Sequence, residues 1–343
     1  MRSVIVVHPD FDGTWPFVAD HFHKLLVQDG EAELIRLSAD ETRGIGEIIP
    51  DPASVVRLIS LKARVDLTCL EALTALEEVV FTTEYSTTPE PQMSERLKER
   101  GIRCYSQPTE GFWGQSVSEF ALALTLCGLR RIPQTHHEII TSLQPWDYDP
   151  PEGVGKPGAR GVQFGDDTRF ANGTVEGKRI RIVGAGNIAS RYASFVHMLG
   201  ADVAMWDPYA SEPCFHRAGA RKEWHLDRLV RDAEIFVPMV PLTDQTGGLV
   251  TAELIRAVPQ GALVVLATRA KICDMEELRR RVLADELSLA ADVFDIEPLP
   301  LNDPLLGRHN VVHTPHNAGR TKEANEQFAL KLYEQFLPRQ STK

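Results

Sequence analysis

The sequence predicts an α/β protein built as two doubly wound parallel sheets. Three observations carry this. Short apolar runs, about 4–8 residues each, alternate with helix-length segments along most of the chain. A glycine-punctuated turn, Gly184-Ala185-Gly186-Asn187-Ile188-Ala189, follows one such run and opens one such helix. The 343 residues are enough for two domains of ordinary size.

In chain order, Val4–Val7 is the first strand, followed by a helix over 17–28 and a strand over 33–37. Residues 40–52 are polar and broken by Gly and Pro, so they read as loop. Val55–Leu61 is the next strand, ending at Lys62-Ala63-Arg64, and a helix over 68–76 leads to a strand at 79–81. The stretch 82–92 is loop, rich in Thr, Ser and Pro. A helix over 93–100 and a strand over 102–105 complete the first α/β set. The helix 117–131 is apolar around most of its circumference, which suits burial between layers or at a subunit interface. Prolines 145, 150, 151 and 157 and many glycines argue against a regular element in 144–176, which reads as a functional loop or arm. Then come a strand at 180–183, a helix from Ile188 to Leu199 and a strand at 202–206. Helical and apolar segments alternate at 226–230, 235–237, 251–258, 263–267, 274–284, 289–294 and 311–314. An amphipathic helix over 321–336 closes the sequence.

Apolar content of 43% and charged content of 25% are ordinary for a globular chain. The net charge of −11 argues against nucleic acid or an anionic membrane as partner. No apolar run approaches membrane-spanning length, and Val4–Val7 is too short for a signal-peptide core. Five cysteines, at 69, 104, 127, 214 and 273, form no C-x-x-C pair, which points to reduced, mostly buried thiols and a cytoplasmic protein.

The glycine turn has a physical reading. Gly184 permits the tight bend, Gly186 lets a pyrophosphate approach the backbone, and Ala189 lets helix and strand pack closely. Asn187 and Ile188 open the helix, whose free N–H groups and positive dipole end face that anion. Asp207 ends the following strand, about 23 residues after Gly184, where a carboxylate accepts the ribose hydroxyls and repels a 2′-phosphate. The pattern therefore predicts NAD rather than NADP. Downstream, Leu266-Ala267-Thr268-Arg269-Ala270, Asp292 to Pro300 and Thr314-Pro315-His316-Asn317-Ala318-Gly319 bring an Arg, an acid and a His to strand ends. Arg269 would clamp a carboxylate through its planar fork. His316 would move the hydroxyl proton during hydride transfer, with Glu297 orienting the imidazole and favouring its protonated form. The spacing His309-x-x-x-His313-x-x-His316 resembles a metal site, but a strand does not place i and i+4 on one face, so no metal is expected. His21, His23, His136 and His137 read as solvated, and Trp15 and Trp113 as packing residues.

At these residues the chain resembles the D-isomer-specific 2-hydroxyacid dehydrogenases over nearly its whole length. Asp292-Val293-Phe294-x-x-Glu297-Pro298-Leu299-Pro300, then Asn310-Val311-Val312-x-Thr314-Pro315-His316, carries most of the match; Val240-Pro241-Leu242-Thr243 and Val117-x-Glu119-x-Ala121-Leu122 also fit. The resemblance implies a Rossmann NAD domain at 111–315 and a discontinuous, flavodoxin-like substrate domain at 1–110 plus 316–343, with the reaction in the cleft between them. It makes Arg269, Glu297 and His316 the catalytic set. Gly184, Gly186, Asn187, Ile188, Asp207, Val240, Pro241, Ala267, Thr268, Asp292 and Gly319 become cofactor-binding, with Asp292 near the nicotinamide amide. Lys62, Ser86 and Thr87 become substrate-binding, Lys62 and Arg64 standing where relatives acting on phosphorylated hydroxy acids carry a basic pair. It also implies a homodimer. Ala270 stands where the family usually has Gly, Leu266 where it often has Asn, and the loop from Thr83 to Pro89 lacks the usual glycine. Glu297 stands where formate dehydrogenases have Gln, and 82–92 lacks the Lys of phosphite dehydrogenase. The expected activity is NAD(H)-linked hydride transfer on a small 2-hydroxy or 2-keto acid; the alternative is an NAD(H)-sensing, corepressor-like interaction protein.

Overall fold

A computed structural model describes residues 1–82, 89–106, 112–142, 147–148, 159–160 and 173–336. It divides into two compact units: Met1–Trp113 with Arg320–Lys343, and Gly114–Gly319.

The first unit holds five parallel strands, β1 (Arg2–Val7), β2 (Glu31–Arg36), β3 (Val55–Leu61), β4 (Glu78–Thr82) and β5 (Arg103–Tyr105), in the order β2-β1-β3-β4-β5. This is the flavodoxin-like order, with the direction of winding reversing between β1 and β3. Alternate side chains of β1 serve two cores. Ile5 and Val7 join Phe22, Leu26, Phe328 and Leu332 from the helices Val18–Leu26 and Lys322–Tyr333. Val4 and Val6 join Ile45, Leu70 and Leu97 on the opposite face. Burial on both sides is why β1 reads as an unbroken apolar run. Arg57 interrupts β3 and is fully buried, so every part of its charge needs a partner. It donates to Glu78 (Nη2–Oε2 2.9 Å) and Asp29 (Nη1–Oδ2 2.9 Å) and stacks 4.2 Å from the Phe336 ring centroid.

The second unit contains a short antiparallel pair, β6 (Asp147–Tyr148) with β7 (Ala159–Arg160), and a seven-stranded parallel sheet. Its strands are β8 (Arg179–Val183), β9 (Asp202–Trp206), β10 (Arg221–Lys222), β11 (Ile235–Pro238), β12 (Leu263–Leu266), β13 (Ser288–Ala291) and β14 (Val311–His313). The order β10-β9-β8-β11-β12-β13-β14 places the topological switch between β8 and β11. The helix Gly114–Arg130 packs on β12 and β13 and against the helix Asn187–Met198. Gly128 makes this possible, since a Cβ there would lie 2.9 Å from both terminal carbons of Leu263.

Several elements differ from expectation. The residues 40–52 include a helical turn, Ile45–Ile48, and short helices occupy Pro9–Thr14 and Glu212–Arg217. The helix 117–131 begins at Gly114 and ends where Arg131 turns left-handed (φ 50°); a new helix, Ile132–Thr141, carries His136 and His137. The strand expected to run to Phe294 stops at Ala291, and the helix expected over 68–76 is Leu67–Ala72. Of the arm 144–176, only 147–148, 159–160 and 173–176 lie within the described residues. His316 to Gly319 belong to the second unit, so the chain leaves it after Gly319 rather than after residue 315.

Candidate active site

Parallel strands bring their C-terminal ends to one edge of the sheet, where α/β folds hold ligands. In the second unit every expected site residue follows such an end. Gly184 comes directly after β8, Asp207 after β9, Val240 and Pro241 after β11, Ala267 to Arg269 after β12, Asp292 after β13 and His316 after β14. The register aligns Leu266 with Ala291 and Ala291 with His313, so the loops bearing Arg269, Asp292 and His316 leave the sheet side by side.

The turn after β8 is shaped by its glycines. Gly184 has φ 106°, and a Cβ there would come within 3.0 Å of the Met239 carbonyl oxygen and of Val240 Cγ1. Gly186 is the N-cap of Asn187–Met198, and a Cβ there would meet nothing within 4 Å. The backbone beside this helix start is therefore open on the side where an anion would approach the first-turn amides. Ala189 is fully buried against the sheet. The Asn187 side chain accepts from Arg191 Nε (2.9 Å), and the Ile188 carbonyl accepts from Ser118 Oγ (3.0 Å), which fix this first turn from behind. Asp207 also binds the turn itself: Oδ2 accepts the Ala185 N–H (2.8 Å), and Oδ1 accepts those of Tyr209 (2.9 Å) and Ala210 (3.0 Å). The sequence marked Asp207 for a ribose and gave no sign of these backbone bonds. The donor set, the open approach at Gly186 and the carboxylate at the end of β9 all fit a dinucleotide.

The second cluster lies at the ends of β12–β14. Arg269 has extended backbone (φ −147°, ψ 126°), and its Nη1 donates to the Thr268 carbonyl (2.7 Å). Ala267 and Thr268 are buried, and Thr268 Oγ1 reaches the Pro238 carbonyl on β11 (3.4 Å). Ala270 is buried too and starts a 3-10 turn. His316 Nδ1 lies 2.7 Å from Glu297 Oε2, with side chains 44% and 35% exposed. The other Glu297 oxygen accepts the Phe294 N–H (2.8 Å), so this carboxylate is oriented before it meets the imidazole. His316 has φ 53°, a left-handed conformation uncommon for a residue with a Cβ. Asp292, expected beside the nicotinamide, is fully buried with its carboxylate turned to Thr314 and to the amides of Asn317 and Ala318. These bonds tie Thr314, Asn317 and Ala318 to the residue that follows β13.

In the first unit, Lys62 follows β3 with φ 57°, and its Nζ lies 2.9 Å from Asp10 Oδ2. This hydrogen bond holds the Asp10 carboxyl below the usual carboxylate range. Arg64 donates to the Thr42 carbonyl (3.2 Å). Ser86 and Thr87, with the rest of 83–88, lie outside the described residues. Trp15 stacks on Trp113 (centroids 5.4 Å, planes at 17°), in keeping with a packing role.

Residues 157–318 match the D-isomer specific 2-hydroxyacid dehydrogenase, NAD binding domain family. This match covers just under half of the chain. The chain is 26% identical over 297 residues to the D-3-phosphoglycerate dehydrogenase of Haemophilus influenzae, an alignment covering 85% of this chain and 66% of that protein. It is 32% identical over 237 residues to the glyoxylate reductase of Thermofilum pendens, covering 67% of this chain and 62% of that one. The chain thus spans just under two thirds of either relative's length. Among solved structures, D-2-hydroxyisocaproate dehydrogenase superposes with a TM-score of 0.69 over 97% of this chain and 95% of that one, at 17% identity, which speaks for a shared fold. The unit around Gly184 is accordingly an NAD-binding domain, similar in sequence to that of the D-isomer specific 2-hydroxyacid dehydrogenases. Among the described residues, no helix is long and apolar enough to cross a membrane.

Proposed function

We propose that the protein is an NAD-dependent, D-specific 2-hydroxyacid dehydrogenase working as a 2-keto acid reductase. The observation that carries this reading is the His316–Glu297 contact at the same sheet edge as the glycine turn. When bound, NADH supplies the hydride. Gly184, Gly186 and the amides of Asn187 and Ile188 would cradle its pyrophosphate, and Asp207 would accept the ribose hydroxyls, with Val240, Pro241, Ala267, Thr268 and Gly319 bordering the cofactor.

Arg269 clamps the substrate carboxylate with charge-assisted hydrogen bonds. Glu297 accepts from His316 Nδ1, which leaves Nε2 to donate its proton to the keto oxygen as the C2 centre is reduced. In the reverse direction the same nitrogen removes the hydroxyl proton. Reduction requires this nitrogen to carry a proton, which general acid catalysis passes to the keto oxygen. Lys62, Ser86 and Thr87 contribute from the first unit, the substrate unit of this reading.

We further propose a cytoplasmic homodimer. None of the five cysteines is in a disulfide. The helix Ile132–Thr141 buries none of its residues and exposes Ile139 (50%) and Ile140 (66%), an apolar face suited to a second copy. The reading is tested by NADH oxidation with glyoxylate, hydroxypyruvate, pyruvate, phenylpyruvate and phosphohydroxypyruvate. Turnover of none of them by protein that binds NADH would favour the corepressor-like alternative.

A further inference from the structure

Asp292 is completely buried, one residue beyond β13. A carboxylate in that position requires donors, and the structure supplies three. Oδ1 accepts Thr314 Oγ1 (2.6 Å) and the Asn317 N–H (3.0 Å), and Oδ2 accepts the Ala318 N–H (2.9 Å). All three come from one turn, and they bracket His316. The bracketed residue is the one with left-handed backbone (φ 53°), a conformation that persists in a residue with a Cβ only where its surroundings enforce it. The far side of the turn is held as well, because Ser116 Oγ donates to the Ala318 carbonyl (2.8 Å). Glu297 has its own anchor, the Phe294 N–H, two residues beyond Asp292 on the same segment. The stretch 292–297 therefore fixes both members of the pair, the carboxylate through residue 294 and the imidazole through residue 292.

We propose that Asp292 is a positioning residue for His316: by gathering the turn Thr314–Ala318 it holds the imidazole in register with Glu297. This rests on His316 being the acid/base of the reaction proposed above. It differs from a direct contact between Asp292 and the nicotinamide, which would require the gathered turn to open or the carboxylate to share its remaining acceptor site.

Two variants separate these roles. In Asp292→Asn an amide N–H2 replaces one acceptor of the same shape, so it faces a donor and the turn loses its grip. At saturating NADH, kcat should fall about 10–100-fold. The dissociation constant for NADH and the KM for the keto acid should stay within about twofold of the parent. The loss should appear in kcat per NADH-binding site; a purely architectural residue would lower the titrated active fraction and leave kcat per site unchanged. Thr314→Val removes one donor from the other side of the same contact and should shift the same quantities in the same direction, by a smaller factor. It decides the question if Asp292→Asn does not fold. An NADH affinity weakened tenfold with parental kcat would make Asp292 a cofactor ligand and overturn the proposal, as would a Thr314→Val enzyme parental in every quantity. If the parent reduces no keto acid while binding NADH, the dehydrogenase reading fails by itself. The positioning claim is then read from the His316 ring resonances by NMR, and resonances unchanged in both variants would refute it.

Discussion

At the residue scale, three side chains have separable proposed roles. Arg269→Ala removes a charge-assisted clamp, each such bond contributing about 1.5–3 kcal/mol, so the KM for the keto acid should rise far more than kcat falls. His316→Ala removes a positioned acid/base and should cost about 10²–10⁴ in kcat. Glu297→Gln keeps the shape of the 2.7 Å contact but replaces the accepting carboxylate with an amide, so kcat should fall while NADH affinity holds. Steady-state kinetics check this, and a variant with parental kcat would contradict the pairing. Each of the three stands in a distinctive short motif, which is why the sequence singles it out. The partners that place them were not legible in it. No pattern marks the Phe294 N–H as the orienter of Glu297, or the left-handed backbone of His316, because both arise when β13 and β14 bring distant segments together.

At the element scale the two glycines of the turn should separate. Gly184→Ala meets two constraints, φ 106° and a Cβ within 3.0 Å of the Met239 carbonyl oxygen, so it should destabilise the NAD unit, lowering Tm and weakening NADH binding together. Gly186→Ala meets no atom within 4 Å, so Tm should hold while NADH affinity drops, the added methyl standing where the pyrophosphate approaches. Calorimetry and fluorescence titration of both variants check this; equal effects on Tm would contradict it.

A second test concerns Arg181, buried within β8 and bridged to Asp232 (Nη2–Oδ2 2.7 Å) and Asp202 (3.0 Å). The Arg181 hydrogen bonds hold the Asp232 carboxyl below its ordinary 3.8. A depressed carboxylate contributes stability that is present above its unfolded value and lost as pH falls through the folded one. Asp232→Asn should therefore lower stability at pH 7 by about 1 kcal/mol, allowing for solvent screening, and by almost nothing at acid pH below the folded value. Long periodic segments announced themselves in the sequence, whereas Pro9–Thr14 and Glu212–Arg217 did not, being too short to show a helical period. Ile132–Thr141 was hidden by Pro133, which reads as a breaker but sits in the first helical turn, where proline is tolerated.

At the scale of the whole molecule, the two parallel sheets follow from alternating strands and helices, and that fold class, though not the strand orders, was readable from the alternation together with the glycine turn. The apolar helix Gly114–Arg130 was expected to serve as a layer or an interface. Its buried face, with Val117, Ala121, Leu124 and Leu129, lies within the second unit, while the exposed isoleucines fall on the next helix. Light scattering should give a dimer mass at micromolar concentration, and replacing Ile139 and Ile140 with Glu should give a monomer with parental Tm for each unit. A monomeric parent would refute the dimer. The central claim is that this sheet edge reduces a 2-keto acid at the expense of NADH. Its most direct test is the steady-state rate of NADH oxidation by the purified chain across the five keto acids, run beside His316→Ala. Turnover of at least one keto acid is expected, falling about 10²–10⁴-fold in the variant while NADH affinity is kept. Turnover of none by a chain that binds NADH, or a variant as active as the parent, would contradict it.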